Sequence, residues 1–315
     1  MKDATGILKR HPENPIMHVK DYPGLAQIYN PSPAVCNGET ILLVSVVPHK
    51  SNGLGQDIGE TRVARSKDGV HFTMDEENFI QVGDEYPFNL MKHFIDNRIT
   101  KIDDVFYIIT PVMMNEFDAP IGLLGKTADF RIYEKIAVIT HPRNRGASLF
   151  PEKINGKYCK LDRPNGVPGY PGEIWMSDSP DLIHWGNFRP VMKSGYRFWN
   201  TMKIGPTPPI KTEKGWLEII HGVRKQTGGH SYYIGAALLD LEHPEKVIGK
   251  TGSYLLAPEV PYETTGTCDN VVFPCGAIAD FTKDELRLYY GAADTAIGLA
   301  SGSLSELVQA CIEEI

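Results

Sequence analysis

The sequence predicts an all-β fold, a five-bladed β-propeller with a short C-terminal helical segment. Three observations point there. Short strand-like runs separated by Gly, Pro, Asn and Asp fill the chain; amphipathic helical stretches are scarce; and one unit recurs five times in the same internal order. A chain of 315 residues exceeds the usual single globular core, so two domains or one large all-β architecture are the choices. The repeat selects the second, a single propeller domain over 1–315.

The unit has a Pro-containing start, a short apolar segment, a turn, then a β-branched or aromatic strand. It appears as NPSPAVCNGETILLVSV from Asn30 and as IDNRITKIDDVFYIITPV from Ile95. It returns as LFPEKINGKYCKLDRP from Leu149, GPTPPIKTEKGWLEIIHGV from Gly205 and VFPCGAIADFTKDELRLYYGAADT from Val272. The turns Asn37-Gly38, Asp103-Asp104 and Asn155-Gly156 carry the residues a tight hairpin needs. A second strand–turn element follows in most copies: VARSKDGVHF from Val63, GKTADFRIY from Gly125 and MSDSPDLIHW from Met176, with AALLDLEHPEKVI in the fourth. Two hairpins make four strands, which is one blade. A single amphipathic helix is expected at Ser303–Ile315.

Composition narrows the function. With 42% hydrophobic and 23% charged residues a sizeable core can form. A net charge of −7 argues against a nucleic-acid groove, though a few converging cations would suffice for a small anion. The N-terminus has no long apolar stretch of the secretory kind, and apolar runs such as Ile41 to Pro48 are too short to span a bilayer. The five cysteines are an odd number with no CxxC pair, which fits free thiols in a reducing, cytoplasmic setting. No HxH, HExxH or calcium-loop spacing is present, so no metal site is expected.

In a propeller the innermost strands converge on one channel mouth, so a site should draw residues from equivalent positions of several repeats. Those positions hold polar groups that a strand core disfavours. The first copy has Asn30, with Arg62 and Arg65 on its outer hairpin; the second has Asp96 and Arg98. The third has Glu152, Lys153, Asp162 and Arg163; the fourth has Lys203 and His221; the fifth has Asp269, Asn270 and Asp294. Tyr232, Trp199 and Trp216 add aromatic surface. Carboxylates with aromatics suit a sugar, whereas converging Arg, Lys and His suit an oxyanion. Each residue also has a plainer role, as a turn cap, a surface charge or a core histidine; only their joint placement argues for a site.

At these residues the sequence resembles glycoside hydrolase family 130, the β-mannoside phosphorylases and mannosidases. The matching stretches are LFPEKINGKY with LDRP, SPDLIHW, GWLEIIHGV, YYIGAALLDLEHPEKVI, NVVFPCG and YYGAADT. The resemblance implies a five-bladed propeller and inverting phosphorolysis of a β-mannoside. The products would be α-mannose 1-phosphate and a shortened acceptor. It implies Asp96 as the acid of an Asp-Pro-Arg-like segment, here Asp96-Asn97-Arg98, acting through a sugar hydroxyl. Arg163, Lys203 and His221 match the phosphate-binding set. Asn30, Arg62, Arg65, Arg98, Arg145, Tyr232 and Asp294 are the substrate-binding candidates. Gly146 departs from the Asn or Asp of some members. Inorganic phosphate is then the co-substrate and no cofactor is expected. The short N-terminal form and the HFIDNR segment favour β-1,2-mannobiose or β-1,2-oligomannan over β-1,4 substrates. A β-mannosidase using water would need a second carboxylate, Glu152 or Asp269. The expected partners are the mannoside and phosphate, with no nucleic acid and no membrane. Family members are often homo-oligomers, which leaves self-association open here.

Overall fold

The run Ile41-Leu42-Leu43-Val44 is apolar at every position because both faces of its strand are covered. Ile41 and Leu43 pack toward one neighbouring sheet, and Leu42, Val44 and Val46 toward the other. This double burial recurs around a ring. In the computed structural model, which describes residues 4–49, 58–114, 117–164, 172–195 and 197–312, five antiparallel sheets form the five blades of a propeller. Five apolar clusters fill the five seams between blades.

The first blade runs outward through Leu25–Cys36, Glu39–Pro48, Glu60–Ser66 and Thr73–Met74. The second uses Arg98–Ile102, Val105–Met114, Phe117–Thr127 and Glu134–Val138, with Met91–Lys92 added beside Val105–Met114. Ser148–Leu149, Tyr158–Asp162, Ile174–Ser179 and Gly186–Met192 build the third. Lys203–Pro206, Trp216–Gln226, Gly229–Leu239 and Val247–Lys250 build the fourth. The fifth takes Val272–Asp280, Glu285–Ala292 and Ala296–Ser303 from the C-terminal end of the chain.

Its outer edge comes from the other end. Lys9–Arg10 and Met17–His18 pair with Ala296–Ser303, so the N-terminal segment closes the ring. The pairing is locked by Arg10, whose Nε and Nη2 donate to the two oxygens of buried Glu263, each at 2.8 Å; the Tyr290 hydroxyl donates to the same carboxylate at 2.8 Å. The repeat pattern shows a second hairpin in four copies and none in the fifth, and gives no sign that the N-terminal segment completes that blade. Two-residue strands leave no periodicity to read.

Turn chemistry behaves as the residues dictate. Asn37-Gly38 and Asn155-Gly156 both take positive φ, and Asp103 does as well. In the outer hairpins an Asp organises the turn. Asp68 accepts from Ser66 Oγ and from the N–H groups of Val70 and His71, and Asp181 repeats this with Ser179, Ile183 and His184. The helix spans Leu304–Ile312, with Leu304, Leu307, Val308 and Cys311 turned onto the seam between the fourth and fifth blades. Ser303 Oγ caps it by accepting the Glu306 N–H at 3.1 Å. The last three residues of the expected helix lie outside the described residues. Among the described residues no helix is long and apolar enough to cross a membrane.

Candidate active site

The inner strands deliver their polar residues to one cavity of about 380 Å³. Asn30 lies at a bulge in the first strand of the first blade, and Asp96 just before the first strand of the second. Arg145 precedes the third blade's first strand and Arg163 follows its second. Lys203, His221 and Tyr232 stand on three adjacent strands of the fourth blade; Asp294 sits in the last inner turn of the fifth. Eight of the eleven site residues expected from sequence therefore meet here. Asn30, Asp96 and Asp294 all hold left-handed backbone, as does His93 beside them. Asn and Asp tolerate that conformation better than other non-glycine residues, and such strain gathers at functional sites.

Asp96 is the best-held carboxylate of the cavity. It is 5% exposed. Asn30 Nδ2 donates to its Oδ1 at 2.6 Å, Arg145 Nη2 approaches Oδ2 at 3.3 Å, and its N–H donates to Ser45 Oγ at 2.9 Å. Burial pushes its carboxyl up. The guanidinium groups of Arg145 and Arg98, the Asn30 hydrogen bond and His93 outweigh that and hold it below the ordinary value.

Opposite it stand the cations. Burial, reinforced by Arg145 and Arg98, brings Arg163 down to about 10. Burial, then Arg163 and Arg145, brings Lys203 down to about 8; its ammonium lies 5.1 Å from the Tyr232 ring centre. His221 is 2% exposed and packs 4.5 Å from the Phe273 ring. Burial, with Arg163, Lys203 and Arg98 around it, keeps its imidazole neutral. Neither of its ring nitrogens has a hydrogen-bond partner among the described residues. A buried polar group with no protein partner is costly unless a ligand supplies one. Gly205 makes room for this group, since a Cβ there would press into the His221 ring and the Arg163 side chain. Gly146 does the same on the other side, where a Cβ would lie 3.1 Å from Arg163 Nε.

Three expected residues are placed elsewhere. Arg65 pairs with Asp75 at 2.6 Å and donates to the Phe130 carbonyl, tying the first blade to the second on their outer side. Arg62 lies by Glu60 on the same third strand, which is too far out from the axis to line the cavity. Arg98 is buried beneath the cavity. Its Nη1 donates to the Asp96 carbonyl at 2.6 Å and to Cys275 Sγ at 2.8 Å, and its Nε to the Pro206 carbonyl at 3.2 Å. It joins three blades under the acid and does not face the ligand space.

The other carboxylates considered are also accounted for. Asp162 is tied up with Lys160, Asn144 and Ser177. Glu152 is on the surface with Lys211, and Asp269 is outside the cavity. Tyr29, Gln27, His93, Cys268 and Phe273 line the site without having been singled out. Tyr29 adjoins Asn30 and Phe273 lies within the NVVFPCG stretch, so neighbourhood was the one available signal.

Fold and site together define a propeller of the glycoside-processing class, with one buried acid facing a cationic pocket. The chain belongs to glycoside hydrolase family 130. The family model, described as β-1,4-mannooligosaccharide phosphorylase, matches residues 7–313. A β-1,2-mannobiose phosphorylase of Listeria innocua is 39% identical over 250 residues, 78% of this chain and 67% of that protein. A β-1,4-mannooligosaccharide phosphorylase of Ruminococcus albus is 32% identical over 97% of this chain and 91% of its own length. A 1,2-β-oligomannan phosphorylase of a Thermoanaerobacter species is 35% identical over 87% and 89%. The solved structure of the Listeria innocua enzyme in complex with β-1,2-mannobiose superimposes with a TM-score of 0.86 at 31% identity, covering 98% of this chain and 99% of that one.

Proposed function

We propose that the protein is an inverting β-mannoside phosphorylase acting on β-1,2-mannobiose or β-1,2-oligomannan, with the chain 1–315 working as one catalytic propeller. Asp96 protonates the leaving glycosidic oxygen through a sugar hydroxyl, which passes on its own proton and takes that of Asp96, as the bond to the anomeric carbon breaks. A phosphate oxygen bonds to that carbon from the opposite face, giving α-mannose 1-phosphate and a shortened acceptor. Hydrogen phosphate brings the proton that restores Asp96, so the reaction balances with no cofactor. Arg163, Lys203 and His221 receive the phosphate, while Asn30, Arg145, Tyr232 and Asp294 orient the mannoside.

The observation that carries this reading is His221, buried with two unpartnered nitrogens beside Arg163 and Lys203, the first of which depresses the second. A neutral imidazole can donate one N–H to a phosphate oxygen, and a bound anion relieves the repulsion between Arg163 and Lys203. Hydrolysis would need a base for water and would leave the cations without a task. Support for the β-1,2 linkage comes from the Listeria and Thermoanaerobacter relatives. The family model's description and the Ruminococcus relative favour a β-1,4 substrate as the second reading. The five cysteines are all unpaired, which suits a cytoplasmic enzyme.

The test incubates the protein with β-1,2- and β-1,4-mannobiose separately, with and without phosphate, and measures mannose 1-phosphate. Phosphate-dependent product from the β-1,2 substrate is expected. Free mannose at the same rate without phosphate overturns phosphorolysis, and preference for the β-1,4 substrate overturns the linkage.

A further inference from the structure

Arg145 and Arg163 reach the cavity from different segments, and each follows a buried polar residue. Asn144 precedes Arg145 and Asp162 precedes Arg163; both are buried, and Asn144 Nδ2 donates to Asp162 Oδ1 at 2.8 Å. In extended chain, successive side chains point to opposite sides. A tie between residues 144 and 162 behind the wall therefore fixes residues 145 and 163 in front of it. The same Asn144 side chain also works forward. Its Oδ1 accepts the N–H of Gly146 and the N–H of Arg163, each at 3.3 Å.

Behind Asn144 the anchor is itself anchored. Asp162 accepts Ser177 Oγ at 2.7 Å and the ammonium of Lys160, a residue 1% exposed whose Nζ lies 4.8 Å from the Trp185 ring centre. A buried ion pair holds its geometry because loosening either member leaves an uncompensated charge. The load on this anchor is electrostatic. Arg145 and Arg163 repel each other across the cavity wall, and nothing in their own positive charge keeps them at the spacing an oxyanion needs.

We infer that Asn144, held by the buried Asp162–Lys160 pair, is the positioning residue that sets the spacing of the Arg145 and Arg163 guanidinium groups for phosphate. The inference rests on the phosphorolytic reading for the identity of the anion, but the clamp itself is a property of the protein alone. Asn144 touches neither phosphate nor sugar; it acts through the two arginines.

The experiment compares the full-length protein with Asn144→Ala by calorimetric titration of inorganic phosphate, by KM for phosphate and for mannoside, and by crystal structure. The variant is expected to bind phosphate about tenfold more weakly, the loss of one charge-assisted contact. KM for the mannoside, which Arg145 also orients, should rise less than KM for phosphate, and the Arg145–Asp96 separation should lengthen from 3.3 Å. Unchanged phosphate affinity in a folded variant overturns the inference and leaves the phosphorolytic reading standing. If the wild-type protein binds no phosphate, that reading falls instead, and the clamp is judged by the crystal structure: unmoved arginines in Asn144→Ala overturn it. Should Asn144→Ala fail to fold, Ser177→Ala removes one donor to Asp162 and is read the same way. A two- to threefold weakening is expected of it, and an unchanged phosphate affinity overturns the inference.

Discussion

Phosphate use should fail in alkaline solution, and Lys203 sets where. A lysine that ordinarily ionises near 10.5 is held at about 8 by burial and by the charges of Arg163 and Arg145. Below about 8 the ammonium is present and can bind the phosphate dianion; above it the charge is lost. About half of the lysine is protonated at pH 8 and about one-tenth at pH 9, so KM for phosphate should rise about fivefold between them. A further loss is half complete near 10, the midpoint of Arg163 deprotonation. The sign of the stability effect is opposite for the free protein. A lysine depressed in the folded state costs stability while it is charged, and that cost disappears as pH rises from about 8 to 10.5. Its size is about 3 kcal/mol, so phosphate should raise Tm more at pH 7 than at pH 9.5. The assay is the initial rate of mannose 1-phosphate formation over phosphate concentration from pH 7 to 9.5, in the wild type and in Lys203→Arg. The arginine keeps its charge through this range, so its profile should flatten even though its absolute affinity differs. A flat wild-type profile, or the same rise in Lys203→Arg, refutes the assignment.

Asp96→Asn should lower kcat about a thousandfold while phosphate binds no more weakly, because the lost carboxylate competes for Arg145; single-turnover rates and phosphate calorimetry check both halves. Gly205→Ala should cost phosphate affinity with little change in mannoside affinity, since the added Cβ meets His221 and Arg163 and nothing on the Asp96 side; equal losses in both would place His221 outside the phosphate site. Arg10→Met leaves the fully buried Glu263 carboxylate without its charged partner and should lower stability by about 3 kcal/mol in urea unfolding. An unchanged midpoint would mean that the N-terminal strand contributes nothing to ring closure.

The blades were legible because their signal is redundant. Each repeat spells a hairpin by its turn residues, as at Asn37-Gly38 and Asn155-Gly156, and by a strand whose two faces are both apolar, as at Ile41–Val44. The residues around the axis were legible for the same reason, since equivalent positions in a ring must converge. What the sequence hid was radial depth. Arg62 and Arg65 have the same chemistry as Arg163, but they sit on a third strand and make contacts on the outer side. Arg98 is two residues from Asp96 and points below it, into contacts with Cys275 and Pro206 from blades more than a hundred residues away. The closing strand Lys9–Arg10 was hidden too, because its partner strand Ala296–Ser303 lies at the opposite end of the chain.

The charge arrangement links the acid to the nucleophile. Arg145 is shared: it lies 3.3 Å from Asp96 and stands beside Arg163, on which its charge acts. Without an anion, Arg145 and Arg98 hold Asp96 ionised, a state in which it cannot protonate a leaving oxygen. A phosphate dianion drawn into the cationic pocket neutralises part of that field, and its own negative charge disfavours a second anion nearby. Both effects raise the Asp96 carboxyl toward the protonated form. Burial acts in the same direction and is already the largest influence on this residue. Arg145, which holds Asp96 ionised and also acts on Arg163, would thus couple the proposed phosphate pocket to the proposed acid. In a cavity this small, a permanently protonated acid beside a bound mannoside would also serve water. On the proposed function, an acid that gains its proton more readily with phosphate present favours phosphorolysis over hydrolysis without a second carboxylate.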